Sequence, residues 1–387
     1  MFNDLQAAFE DKSDRDLNRA HLLFKAISNP IISKIITAFI KTAIWLHLPI
    51  DGIIKTTVYK HFCGGTTIKD SKQTIEKLWK SKIGTILDFS AEGKESEVDF
   101  DRAMKETIES LQKATTTNNI PFSVFKPTGL ARFNLLEKIS SKNKLSQQEE
   151  KEKSEFESRV ENICKVSSEK KVPVFIDAEE SWIQDAIDNI AIRMMKKFNR
   201  KQAYIFNTLQ LYRKDRVSHL EDLLTNAKEN NFFIGLKLVR GAYHEKETKR
   251  SRKMGYDCPV YTIKEDTDIH YNKALTICIK NIDIISVCAG THNEKSSTLL
   301  INLLKKHNIS KDDKRVYFSQ LLGMSDHISY NAAKKGFNVA KYVPYGPIKD
   351  LLPYLIRRAE ENTSIAGQMG RDLSNIIEEK RRRKSNS

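Results

Sequence analysis

The chain has 387 residues, 40% hydrophobic and 30% charged, with a formal net charge of +15. That balance excludes wholesale disorder and a membrane-embedded body, and the length suits one barrel of about 250 residues with attached helices. Five cysteines (Cys63, Cys164, Cys258, Cys278, Cys288) have no paired spacing and no histidine at ligand spacing, so reduced thiols are expected, with neither a disulfide framework nor a metal site.

Residues 1–80 read as a helical arm, broken by a Gly64-Gly65 turn. The first sixteen residues are acidic (Asp4, Glu10, Asp11, Asp14, Asp16) and show neither a signal nor a transit pattern, which gives a cytoplasmic expectation. Residues 31–50 are the most apolar stretch, but Lys34, Lys41 and His47 interrupt it too often for a membrane span. Their helical spacing predicts an amphipathic helix that packs on the body, with a bilayer surface as the alternative.

From residue 83 onward, short β-rich apolar runs alternate with polar segments of helical period. Eight runs are found, at 83–89, 122–126, 172–177, 203–212, 232–243, 282–291, 315–322 and 338–345. Helices are predicted at 181–200, 215–230, 261–281, 295–308, 326–335 and 353–361, the last opened by Pro353. Eight βα units predict an α/β fold, a (βα)8 barrel of TIM type, over residues 81–370. The Lys- and Glu-rich insertion 131–171 reads as exposed helices, and residues 371–387, with the block from Lys380 to Lys384, as a frayed basic tail.

In such a barrel, functional side chains sit at the C-terminal ends of the strands. Lys126, Asp177, Gln210 and Lys237 fall at those ends, on positions that face a normally apolar interior, so together they require partners or a ligand. On the fifth run Lys237 and Val239 share one face, and Leu238 and Arg240 the other. Gly290-Thr291-His292-Asn293, followed by Ser296 and Ser297, puts small polar donors at a helix start that suits phosphate, although ordinary capping has the same form. In the last unit Glu361 lies four residues after Arg357 and three after Arg358. The arginines form either a carboxylate fork or a surface ion-pair cluster.

These strand-end sequences, taken in order, resemble the proline dehydrogenase family. The resemblance rests on Tyr354-x-x-Arg357-Arg358-x-x-Glu361-Asn362, on Leu238-Val239-Arg240-Gly241-Ala242-Tyr243, on Thr291-His292-Asn293 and on Ile176-Asp177-Ala178-Glu179. It implies a distorted barrel that binds FAD and oxidises L-proline to 1-pyrroline-5-carboxylate. By this resemblance Arg357, Arg358 and Lys126 hold the substrate carboxylate, Glu361 and Tyr354 brace the arginines, and Tyr342 and Leu321 pack on the proline ring. Asp177 pairs with Lys126, and both Asp177 and Lys237 act at the reacting centre.

For the flavin, the resemblance implies Gln210 and Lys237 beside the ring system, Val239, Arg240, Gly241 and Ala242 along the cofactor, Thr291 and His292 at the pyrophosphate, and Ala178 through its backbone. Two positions depart from the pattern of many members: Lys237 stands where arginine is common, and His244 where some have tryptophan. The implied partners are a quinone acceptor, a peripheral contact at the inner membrane and a downstream pyrroline-5-carboxylate dehydrogenase, with no nucleic acid. Two other classes are compatible with the residues alone. One is an aldolase-like barrel forming a Schiff base through Lys126 or Lys237; the other is a non-catalytic basic protein binding nucleic acid or anionic lipid.

Overall fold

The computed structural model describes residues 1–29, 38, 52, 55–89, 95–364 and 368–385, without the side chains of 28, 55, 56 and 358–369. The amphipathic helix expected at 31–50 lies, but for Ala38, outside the described residues. Eight strands close into one barrel in chain order: β1 (Ile83–Phe89), β2 (Phe122–Phe125), β3 (Val174–Ile176), β4 (Ile205–Gln210), β5 (Ile234–Val239), β6 (Ile285–Gly290), β7 (Val316–Leu321) and β8 (Val339–Tyr345). Every neighbouring pair is parallel, and β1 closes on β8 from the Ile83–Val339 pairing through to Phe89–Tyr345. Helices lie between each pair of successive strands, which makes the chain a (βα)8 barrel.

Alternation along each strand decides what faces where. Ile234, Leu236 and Leu238 of β5, like Val174 and Ile176 of β3, join the main core between barrel and helices. The opposite face fills the interior with a separate cluster: Ile86, Phe122, Val124, Phe175, Phe206, Cys288, Ala340 and Tyr342. Phe122 anchors it, stacked on Phe175 at 4.4 Å and edge-on to Tyr317 at 4.9 Å and Phe206 at 5.4 Å. This aromatic plug closes the lower barrel, so the next inward side chain on each strand, further toward the C-terminal end, forms the floor of an open mouth.

The arm supplies α1 (Leu5–Ala8), α2 (Asp14–Ser28) and α3 (Lys72–Lys80). Ser13 starts α2 with a capping box shared with Asp16, which satisfies helix N–H groups that have no partner within the helix. After β1 come α4 (Glu97–Thr115), then α5 (Phe133–Ser140) and α6 (Gln147–Lys170). The 131–171 insertion therefore differs from the exposed helices expected. Its α6 is the crossover between β2 and β3, and buries Phe156, Val160, Ile163 and Cys164 in the main core. The charged residues mark the outer face of that helix, apart from buried Arg159, which donates to Asp101 at 2.7 Å.

Next in order are α7 (Ser181–Phe198), α8 (Arg216–Asn230), α9 (His244–Met254), α10 (Lys264–Lys280), α11 (Glu294–Lys306), α12 (Asp326–Lys334), α13 (Ile348–Ser364) and α14 (Gln368–Ser385). Helix α9 carries too few apolar residues to be read from periodicity. Helix α13 begins at Ile348, so Pro353 stands inside it rather than at its start; the proline is solvent-exposed and costs one backbone hydrogen bond.

The basic tail is the larger correction, because α14 is an ordered helix docked on the arm. Glu379 is buried and accepts from Arg382 at 2.7 Å and Arg383 at 2.8 Å. Arg383 also caps the carbonyls of Phe9 and Lys12, each at 2.9 Å. The arm, α13 and α14 share a second apolar cluster that includes Phe9, Leu17, Phe24, Leu351, Tyr354, Leu355 and Ile376. The substrate helix of the sequence reading is thus held by the arm as well as by the barrel.

Phe122→Ala empties the centre of the interior plug and is expected to cost about 3–5 kcal/mol, read as a lower denaturant midpoint. A loss below about 1 kcal/mol would show that the plug does not carry the interior packing.

Candidate active site

Above the plug, the inward residues at the strand ends are charged. Asp88 on β1, Lys126 after β2, Asp177 after β3 and Lys237 on β5 meet Tyr342 of β8, and all but half-buried Lys126 are buried. Lys126 Nζ donates to Asp88 Oδ2 at 3.0 Å, to Asp177 Oδ2 at 3.0 Å and to the Tyr342 hydroxyl at 3.2 Å. Tyr342 in turn donates to Asp177 Oδ2 at 2.6 Å. Lys237 Nζ donates to the other oxygen, Asp177 Oδ1, and lies 5.0 Å from the ring centres of Phe175 and Tyr342.

Asp177 is therefore shared between two ammonium groups and a phenol. Burial alone would raise its pKa, but Lys237 and then Lys126 outweigh burial and hold the carboxyl well below its ordinary range. Burial, followed by the Asp177 and Asp88 charges, pushes the Tyr342 phenol far up, so it stays protonated and acts as a donor. Two carboxylates balance two ammonium groups, which allows four charges to remain in a poorly solvated space.

One wall is built from the loops that follow. Gln210 donates from Nε2 to the Glu179 carbonyl at 2.6 Å and accepts the Ala242 N–H at 3.1 Å, tying the exits of β3 and β5 together. Glu179 in turn accepts from the Thr128 amide at 2.8 Å and hydroxyl at 2.6 Å. Val239 and Arg240 are half-buried, and Gly241 and Ala242 are exposed to the mouth. Gly241 has φ +142°, and a Cβ there would stand 2.4 Å from the Tyr212 ring, so only glycine leaves the chain flat at this point.

Arg240 turns away from the Lys237 face, as alternation requires. It donates to Asp268 at 2.6 Å, Thr291 Oγ1 at 2.5 Å and Ser296 Oγ at 2.9 Å, and lies over the Tyr271 ring at 4.4 Å. His292 Nδ1 is 3.0 Å from Ser325 Oγ, and Asn293 caps α11 through the Ser296 amide.

The predicted residues thus fall into groups. Lys126, Asp177, Lys237 and Tyr342 are in mutual contact; Gln210 and residues 239–242 form the adjoining wall; Arg240 joins Thr291 at the start of α11. Half-buried Ala178 follows Asp177 directly, and Leu321 packs at the border of the interior and arm clusters. Tyr354 is buried in the arm cluster and Arg357 is half-buried on α13, whereas the side chains of Arg358 and Glu361 lie outside the described residues. Lys126, expected as a cation for the substrate, is here bound by two carboxylates.

Sequence reasoning missed Asp88, although the inward series Gly84, Ile86, Asp88 marks it as a charge inside the barrel. It also missed Asp268 and Tyr271, which have no local signal, since Arg240 meets them across 28 and 31 positions of sequence. Among the described residues no cluster of metal-ligating side chains occurs.

A closed parallel barrel with a buried charged array at its C-terminal mouth defines an enzyme of the (βα)8 class. Residues 71–371 match the proline dehydrogenase family model, and the chain belongs to that family. Its chemistry is the oxidation of proline. A carbapenem antibiotics biosynthesis protein, CarD of Pectobacterium carotovorum subsp. carotovorum, is 33% identical over 94% of this chain and 93% of its own. Mitochondrial proline dehydrogenase 1 of Dictyostelium discoideum is 31% identical over 94% of this chain and 72% of its own. The structure of proline utilization A from Bdellovibrio bacteriovorus superposes with a TM-score of 0.72 at 20% identity, over 92% of this chain and 38% of that one, and shows the same fold.

Asp177→Asn leaves two buried lysines with a poorer partner and is expected to cost about 3–5 kcal/mol at neutral pH. Because the folded-state pKa is depressed, that stabilisation is full above the ordinary value of 3.8 and is lost as the pH falls below it. Denaturant melts should therefore show the gap between wild type and variant narrowing below about pH 4. A gap that stays constant into acid would contradict the shared-carboxylate arrangement.

Proposed function

We propose that the chain oxidises L-proline to 1-pyrroline-5-carboxylate with FAD as the hydride acceptor, and that the electrons pass on to a quinone. The observation that carries this reading is the array Asp88–Lys126–Asp177–Lys237–Tyr342 at the barrel mouth, flanked by the open strip Val239–Ala242. The strip suits a flavin. Gly241 keeps its backbone flat and exposed, Lys237 adds a positive charge on the adjoining inward face, and Thr291, His292 and the start of α11 form a polar end suited to a pyrophosphate.

FAD, when bound, supplies the acceptor for the hydride that leaves proline C5. The chain's own residues bind and orient. Arg357 and Arg358 on α13 would take the carboxylate through their guanidinium forks, with Lys126 as a third cation and Tyr354 and Glu361 bracing the arginines. The amine must be neutral to release hydride, and cations placed around the carboxylate disfavour an ammonium next to it. Lys237 would stabilise negative charge as it develops on the acceptor. Asp177 holds Lys237, Lys126 and Tyr342 in fixed places, so little reorganisation accompanies the reaction.

A Schiff-base lysine needs a free amine lone pair, whereas Lys126 and Lys237 are both bound to carboxylate oxygens. Borohydride with a carbonyl substrate should therefore trap no adduct. The relative named for carbapenem biosynthesis supports a second reading, in which the same oxidation serves a biosynthetic route. Loss of growth on proline after deletion of the gene favours the catabolic one. The proposed setting is cytoplasmic with peripheral contact at the membrane that holds the quinone, and the product would pass to a pyrroline-5-carboxylate dehydrogenase. No described helix is long and apolar enough to cross a membrane.

Arg358→Met is expected to raise KM for proline at least about tenfold, the scale for loss of a charge-assisted pair, while FAD content stays near wild type. Unchanged kinetics would remove the carboxylate role. The Bdellovibrio protein is described as inactivated by N-propargylglycine. The same compound should inactivate this chain, and excess proline should protect it; indifference to the compound contradicts the reading.

A further inference from the structure

Asp88 has no place in the mechanism above, yet it is among the most deeply buried charges at the mouth: its side chain is 4% exposed, against 11% for both Lys126 and Asp177. It stands on the inward face of β1 and contacts Lys126 through both oxygens, at 3.0 and 3.3 Å. An ammonium has three N–H donors. In this structure they are directed at Asp88, Asp177 and Tyr342. Asp177 is also bound by Lys237, and Tyr342 is fixed by its own bond to Asp177. Among these three described partners, Asp88 is the one whose release leaves the bonds among Asp177, Lys237 and Tyr342 intact.

We propose that Asp88 is a positioning residue that competes with the substrate carboxylate for Lys126. With the site empty it takes the donor that a carboxylate would use and cancels the charge that would attract one. A bound carboxylate displaces it, and the pair re-forms as the ligand leaves. Asp88 thus weakens anion binding, keeping the site neutral when empty and its ligand exchangeable. The inference rests on the proposed function, since it takes the ligand to be a proline-like carboxylate.

The test is calorimetric titration of the purified holoenzyme with tetrahydro-2-furoate, a carboxylate of proline's shape with no amine to titrate or oxidise. Asp88→Asn, nearly isosteric, should bind it about tenfold more tightly than wild type, because one negative charge a few ångströms from the ligand is gone. KM for proline should fall in parallel while kcat does not rise, a split that simple loss of packing does not give. Asp88→Glu, which keeps the charge, should bind within about threefold of wild type, well short of that tenfold change.

Should Asp88→Asn fail to fold, Asp88→Ser removes the same charge with a smaller side chain and keeps Lys126 in place. It should likewise bind tetrahydro-2-furoate more tightly than wild type. Unchanged or weaker binding by the neutral variant that folds overturns the inference. If wild type itself does not bind the compound, and proline does not compete with any ligand, the failure lies with the proposed function instead.

Discussion

The mouth of this barrel depends on one carboxylate that serves two lysines. Asp177 bonds Lys126 through one oxygen and Lys237 through the other, and it receives the Tyr342 hydroxyl as well. Three strand ends and β8 are thereby fixed relative to one another by charge-assisted bonds, which are stronger than neutral ones and more sensitive to geometry. Isolated, any of these charges would be costly where it stands; as a balanced set they can be retained. The barrel supplies the enclosure, and the aromatic plug beneath supplies a rigid floor.

The supports extend outward from that group. Gln210 and Glu179 link the loops after β2, β3 and β5, while Arg240 carries the exit of β5 to α10 and α11. On the far side, Lys341 is fully buried on the outward face of β8 and bonds Asp326 at 2.8 Å, and Lys12 of the arm reaches the same carboxylate at 3.3 Å. Ser325, beside Asp326, donates its backbone N–H to the Asp372 carboxylate of α14 and meets His292 through its hydroxyl. The arm and the last helix are thus tied to the loop after β7, and through the second apolar cluster to α13. Placement of α13 is shared between barrel and arm.

Much of the barrel was legible because its signal is periodic. Outward Ile234, Leu236 and Leu238 with inward Lys237 is a pattern that sequence alone displays, and it put Lys126, Asp177 and Lys237 on the same side of the sheet. What was not legible depends on contacts between distant segments. The residues from Lys380 to Lys384 read as a solvated charge run because Arg383 finds its acceptors on Phe9, Lys12 and Asp14, more than 360 positions away. Pro353 suggested a helix start from local preference, but the packing of Leu351 and Leu352 into the arm cluster carries the helix back to Ile348. Asp88 escaped notice because it stands one residue short of the end of β1, where attention to strand ends alone passes over it.

The central claim is that this mouth brings proline and a flavin together for hydride transfer. It is tested most directly by the visible spectrum of the purified protein, reconstituted with FAD and titrated anaerobically with L-proline. The account predicts a yellow protein whose flavin absorbance bleaches as proline is added, with saturation at a finite proline concentration. A protein that takes up no FAD, or whose bound flavin keeps its oxidised spectrum in excess proline, would contradict it.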